Sequence, residues 1–146
     1  MIKEADETYF EEIANLEARC FVNPWAADDI GSLSNNFTHI LCEFGDDGLI
    51  KGYIFYTTLF ENAEIFRLCV DPEARRQGIG EALLCQCIKD ATERGCEDMF
   101  LDVRTKNEGA IALYRKAGFR MIAERAGYYE NGDNAFIFIK DLRGDA

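Results

Sequence analysis

The 146-residue sequence predicts a single domain of the α/β (α+β) class, a mixed sheet of about seven strands with helices on its faces. Two patterns carry that expectation. The first half runs mainly as strand-like segments joined by tight polar turns, whereas the second half alternates strand-like and helical segments. Strands joined by short turns pair antiparallel, while a strand, helix, strand succession needs a crossover and predicts parallel pairing. A chain of this length buries roughly two-thirds of the surface its unfolded form exposes, enough for one core. No repeat or low-complexity tract suggests a second unit.

The elements follow in order. Residues 2–5 read as a short strand, and residues 6–20 as a helix with Phe10, Ile13, Leu16 and Cys20 on one stripe. Asn23-Pro24-Trp25 breaks it, and residues 27–34 read as a second, short helix. Residues 38–44 alternate, Gly45-Asp46-Asp47-Gly48 supplies a hairpin turn, and residues 49–59 return as a long aromatic and β-branched strand. A turn near Glu61-Asn62 leads into the strand 64–70. From about Glu81 the apolar positions Leu83, Leu84, Cys87, Ile88 and Ala91 keep helical spacing, and Gly95 is a C-terminal stop. Residues 99–103 predict a strand, 107–117 a helix ended by Gly118, 119–124 a strand, and 135–140 a final strand after the loop 127–134.

Composition narrows the function classes. The formal net charge of −11 argues against nucleic acid as a surface-wide partner, because backbone recognition needs a basic field, and it favours a cationic acceptor. The first twelve residues carry five acidic side chains and no unbroken apolar stretch, so no signal peptide is expected; no apolar run is long enough for a membrane span, and the expected location is cytoplasmic. The six cysteines show no C-x-x-C spacing and no histidine cluster, which predicts reduced, mostly buried thiols and no metal site. His39 is the only histidine, which removes a Ser-His-Asp or Cys-His arrangement.

Between the strand 64–70 and the helix that follows lies Arg75-Arg76-Gln77-Gly78-Ile79-Gly80. Gly78 and Gly80 can take backbone dihedrals closed to other residues, and the N–H groups of such a turn can converge on phosphate oxygens with the free donors of the first helical turn behind them. Arg75 and Arg76 add charge against an acidic background. The plainer reading is a helix start with two solvated arginines. No G-K-[ST] follows, which disfavours a nucleoside-triphosphate loop, and the third glycine of a dinucleotide fingerprint would fall at Leu83.

Three further residues stand where chemistry is possible. In Met99-Phe100-Leu101-Asp102-Val103-Arg104 the apolar residues share one face and Asp102 points to the other. A carboxylate there is costly unless paired, so either its pKa is raised toward general-base range or a neighbouring arginine neutralises it. Asn107 fits a helix N-cap. Tyr114, seven residues on and on the same helix face, is either a proton donor or a side chain with its hydroxyl in water.

The ordered set Val70-Asp71-Pro72, R-R-Q-G-I-G, Leu101-Asp102-Val103-Arg104 and Asn107-x-x-Ala110-Ile111-x-Leu113-Tyr114-x-x-x-Gly118-Phe119 resembles the GCN5-related N-acetyltransferase (GNAT) superfamily. Asn23-Pro24-Trp25, Tyr128-Tyr129 and Gly132-Asp133-Asn134-Ala135 are most similar to its RimI branch, the ribosomal-protein-alanine N-acetyltransferases. The match covers nearly the whole chain.

That resemblance implies a GNAT-type, mostly antiparallel sheet with helices on both faces and acetyl-CoA as co-substrate, with no metal. The pantetheine arm would lie along Leu68, Cys69 and Val70, and the pyrophosphate on Arg76, Gln77, Gly78, Ile79, Gly80 and Glu81, with Arg75 beside them. Asn107 would bond the cofactor arm, Tyr114 would protonate the departing thiolate, and Asp102 would take the amine proton. Trp25, Tyr128 and Tyr129 would wall the entrance of a peptide, by implication a ribosomal protein N-terminus. The family carries glutamate where this chain has Asp102, so the carboxylate is withdrawn by one C–C bond; a bridging water, Glu64 or another acid is an alternative. A base is less needed for an α-amine, of which about a tenth is neutral at pH 7, than for a lysine, neutral well under about a thousandth of the time. Two other readings stand beside this one: a small-molecule or lysine acetyltransferase on the same fold, and a non-catalytic acyl-CoA-binding module.

Overall fold

The computed structural model describes residues 1–143. The first half folds as its alternation predicts: β1 (Ile2–Glu4), β2 (Thr38–Phe44), β3 (Ile50–Leu59) and β4 (Asn62–Val70) pair antiparallel in chain order. The β3–β4 turn is tighter than expected, because Leu59 already pairs with Asn62 and Phe60 takes a left-handed conformation at φ 54°. The predicted helix from Asp6 starts with a 3-10 turn over Glu7–Tyr9, whose Thr8 N–H is capped by the Asp6 carboxylate at 3.0 Å, and continues as α1 (Phe10–Cys20). A short helix, α2 (Ala27–Leu33), follows the Pro24 break.

In the second half, α3 (Ile79–Glu93) carries the chain from β4 to β5 (Asp98–Arg104), which lies parallel to β4. The second crossover, α4 (Glu108–Lys116), departs from the expected parallel pairing. Strand β6 (Arg120–Arg125) is not beside β5, since β7 (Ala135–Asp141) sits between them and is antiparallel to both, giving the order β1-β2-β3-β4-β5-β7-β6. Hydropathy explains the exchange. In β7, Ala135 and Phe138 are fully buried, whereas every residue of Arg-Met-Ile-Ala-Glu-Arg in β6 is exposed, so the apolar strand takes the interior and the charged one the edge.

Helices cover the sheet on both faces but unequally. On one face α3 and α4 pack Leu83, Leu84, Cys87 and Tyr114 against Ile54, Tyr56, Ile65, Leu101, Val103 and Phe138. On the other, α1 and α2 pack Ile13, Leu16 and Ile30 against Ile40, Cys42, Tyr53, Phe55 and Cys69, all from β2, β3 and β4. The part of that second face carried by Phe100, Asp102 and Ile137 lies outside both cores. No helix among the described residues is long and apolar enough to cross a membrane.

Candidate active site

Pairing between β4 and β5 stops after four residue pairs, the last being Ile65 with Leu101. A bulge at Phe66 is responsible on the β4 side: Phe55 pairs with Arg67 and Tyr56 with Ile65, so one residue is extra and the strand bends away. Beyond it Leu68, Cys69 and Val70 keep their partners in β3 and have none in β5, while the continuation of β5 pairs only with β7. The sheet therefore opens into a slot with an unpaired strand edge. Such an edge can accept an extended ligand with amide groups as a further strand.

The glycine-bearing turn closes one end of that slot. Its root is fixed by Asp71, whose N–H donates to the Lys51 carbonyl at 2.8 Å and whose carboxylate accepts from the Glu73 N–H at 3.0 Å and from Arg19 at 2.9 Å. The Glu73 N–H, with Arg19 second, holds the Asp71 carboxyl below its usual range against the opposing pull of burial. Arg76 and Gly78 both stand at positive φ, 65° and 77°, and Gly78 leads directly into α3. Alternation of left-handed and ordinary residues makes a concave row of N–H groups. None of the N–H groups of Arg76, Gln77, Gly78, Ile79, Gly80 or Glu81 has an acceptor among the described residues. The turn thus has the donors expected of a phosphate cradle, although not by the expected route: Gly80 is helical, and the second left-handed residue is Arg76. Arg75 turns back, its Nε 3.4 Å from the Val70 carbonyl, so only Arg76 remains over the turn.

On the α4 face, the Asn107 carboxamide accepts from the Ala110 N–H at 3.1 Å, which is the N-cap geometry. Tyr114 is buried, its ring edge-on to Phe119 at 5.7 Å between centroids. Burial, then the nearby Cys87 and Tyr129, push its phenol above the ordinary value and keep it protonated. Its hydroxyl has no partner among the described residues, yet it is not one of the side-chain atoms sealed from solvent without a bond.

On the opposite face the sequence expectation for Asp102 needs correction. The residue is exposed rather than buried, because neither α1 nor α2 extends over this part of the sheet. Its partner is not an arginine but Tyr128, whose hydroxyl donates to Oδ2 at 2.7 Å. Arg104, two residues on, is occupied elsewhere: it stacks on the Tyr129 ring at 3.9 Å and bonds Asn131 at 3.1 Å and Asp133 at 3.2 Å. These bonds, with Lys106 to Asp133 at 3.1 Å and Asn134 to the Gly127 N–H at 2.9 Å, pin the 127–134 loop so that Tyr128 and Tyr129 stand edge to face beside Asp102. Glu64, half-buried on this same face, has its carboxyl raised first by burial and then by the charge of Asp102.

Trp25 lies in the α1–α2 connection, held by residues that sequence reading passed over. Fully buried Glu17 accepts from the Trp25 N–H at 2.9 Å and from the Tyr53 hydroxyl, and pairs with Arg67 at 3.3 Å. The Arg67 guanidinium lies 4.5 Å from the Trp25 ring and 4.3 Å from that of Phe21, and Trp25 packs edge-on to Phe55 at 5.1 Å. The one available signal was an acid beside the apolar stripe of α1, with nothing in sequence to name its partner.

Comparison with known proteins gives the family and the fold. Residues 10–119 match the acetyltransferase (GNAT) family. The chain is 30% identical to the [ribosomal protein bS18]-alanine N-acetyltransferase of Escherichia coli K12 over 119 residues, 82% of this chain and 80% of that one. It is likewise 30% identical to the protein of that name from Haemophilus ducreyi over 137 residues, 92% of each. Among solved structures it is similar to the ribosomal-protein-S18-alanine N-acetyltransferase of Escherichia coli, with TM-score 0.92 and 27% identity over 100% of this chain and 96% of that one. It also shares its fold with a chain of the NatC complex bound to Gag peptide and CoA, at TM-score 0.84 and 22% identity over 97% of each.

Proposed function

Because the chain belongs to the acetyltransferase (GNAT) family, we propose that it transfers acetyl from acetyl-CoA to the N-terminal α-amine of a protein, an alanine heading a small-subunit ribosomal protein. It does so as a single cytoplasmic domain. The observation that carries this is the gap between β4 and β5, with a protonated tyrosine on one face of the sheet and a pair of carboxylates on the other. The names of the relatives at 30% identity support the acceptor.

Acetyl-CoA brings an activated thioester, and the residues fit it: the free edge of Leu68, Cys69 and Val70 suits the two amides of a pantetheine arm, and the unpaired N–H groups of Arg76 to Glu81 suit a pyrophosphate. Asn107, already a cap, keeps its amide NH2 to offer the arm. Attack by the amine develops charge on the leaving sulfur, and Tyr114 donates its proton there. Asp102, with Glu64 beside it, receives the proton lost by nitrogen. Trp25, Tyr128 and Tyr129 flank the amine's approach, and the −11 net charge draws a basic N-terminal segment toward it.

The test is mass spectrometry of an alanine-first, basic peptide incubated with the protein and acetyl-CoA, beside the same peptide with a blocked α-amine, a lysine peptide and spermidine. One acetyl group on the free α-amine alone is the expected result. Acetylation of spermidine or lysine with the alanine peptide untouched would overturn the acceptor assignment.

A further inference from the structure

Asp102 is one methylene short of the glutamate that the family resemblance led us to expect, and the Tyr128 hydroxyl is bonded to the end of the shorter carboxylate. That contact, at 2.7 Å, is the one hydrogen bond the Asp102 side chain accepts among the described residues. The hydroxyl is held from several sides. Tyr129 meets the Tyr128 ring edge to face at 5.1 Å, Arg104 lies under Tyr129, Arg125 approaches Tyr128 at 5.6 Å, and Asp133 bonds the Tyr129 N–H at 3.1 Å. Tyr128 is nevertheless 44% exposed, so the side chain can be reached from solvent. A side chain that served only as a wall would need its ring and not a hydroxyl aimed at the candidate base.

Resting on the acetyl-transfer reading above, we propose that Tyr128 is a catalytic residue of this chain, a proton relay that links the substrate amine to Asp102. As the C–N bond forms, the nitrogen's N–H bond breaks and its proton passes to the Tyr128 oxygen, while the original Tyr128 O–H bond breaks and that proton passes to Asp102 Oδ2. The phenol is regenerated in the same step, and Asp102 returns its proton to water after product leaves. On the other face the C–S bond breaks and the thiolate takes the Tyr114 proton; the Tyr114 phenolate regains a proton from water as Asp102 gives its own up, so proton and charge balance over the cycle. The phenol does not need to ionise. The hydrogen bond to Asp102 raises it above the ordinary value, with burial second, which keeps it a neutral O–H able to pass a proton on.

The test is a set of three variants assayed for CoA release with the alanine-first peptide, with thermal melting to confirm folding. Tyr128→Phe keeps the ring and removes the relay; it lowers kcat about 10²-fold, the low end for general acid–base catalysis, with little change in peptide KM. Tyr128→Phe combined with Asp102→Glu returns most of the lost kcat, because the longer carboxylate reaches the amine unaided. Tyr128→Ala raises peptide KM as well. A kcat for Tyr128→Phe equal to the parent's, or a double variant no faster than Tyr128→Phe alone, overturns the relay. If the parent leaves the peptide untouched, the acceptor assignment fails separately, and the same variants are compared on spermidine and a lysine peptide, where the relay predicts the same loss and rescue. Transfer to no amine at all overturns both.

Discussion

The two sides of the slot are built on different principles. The side proposed to hold the cofactor is contiguous in sequence and made of backbone: the free edge of Leu68, Cys69 and Val70 and the N–H groups of Arg76 to Glu81. The side proposed to receive the acceptor is assembled from side chains of distant segments, Glu17 and Trp25, Glu64 and Arg67, Asp102 and Arg104, Tyr128 and Asp133. A backbone site is specified by a few conformational requirements, so many sequences encode it. A side-chain site is specified by its partners, and altering one member loosens the rest.

Substitutions sharpen that contrast, the largest effect first. Glu17→Ala removes the charge that satisfies Arg67, Tyr53 and the Trp25 N–H in a fully buried position. Breaking one partner of a buried pair costs about 3 kcal/mol or more, so denaturant unfolding shows a strong loss of stability and peptide turnover falls with it. Tyr114→Phe leaves the fold and acetyl-CoA affinity nearly intact and lowers kcat about 10²-fold, checked by steady-state kinetics with acetyl-CoA binding measured alongside. Arg104→Ala frees Tyr129 and the 127–134 loop; peptide KM rises about tenfold, a change worth about 1.4 kcal/mol, with acetyl-CoA KM unmoved. Gly78→Ala does the reverse. A Cβ there meets nothing within 4 Å, so the penalty is the left-handed backbone alone, about 1–2 kcal/mol, seen as lower stability and a higher KM for acetyl-CoA but not for peptide.

The smallest effect is on pH dependence. Glu64 has a folded-state pKa above its unfolded one, so the native state binds the proton more readily and stability falls as pH rises from the ordinary glutamate value through the raised one. Glu64→Gln flattens that decline and gives a slight gain at neutral pH. Unfolding midpoints between pH 4 and pH 8 show it, and a steeper decline in the variant would contradict the assignment.

The same contrast explains what could be read from the sequence. Strands β2 and β7 announced themselves by alternation, β3 by its aromatic and β-branched residues, α3 by helical spacing, α4 by its Gly118 stop, and the turn by its paired arginines and glycines. The place of β7 between β5 and β6 did not, because both orders satisfy the same local pattern and only the relative apolarity of the two strands decides. Asp102 was placed on the correct strand and face, yet its exposure depended on how far α1 and α2 reach across the sheet. Its tyrosine partner, like the Arg67 that answers Glu17, lies in a segment brought near only by the finished fold.

The division of labour is tested most directly by amide hydrogen exchange on the full chain, with CoA alone and with an alanine-first peptide alone. CoA is expected to slow exchange at Leu68 to Val70 and at Arg76 to Glu81, where the amides now lack protein acceptors on the slot side, and to leave residues 127–134 unchanged; the peptide is expected to do the opposite. Protection by CoA centred on Tyr128 and Tyr129, with the turn at Arg76 to Glu81 exchanging as before, would contradict the account.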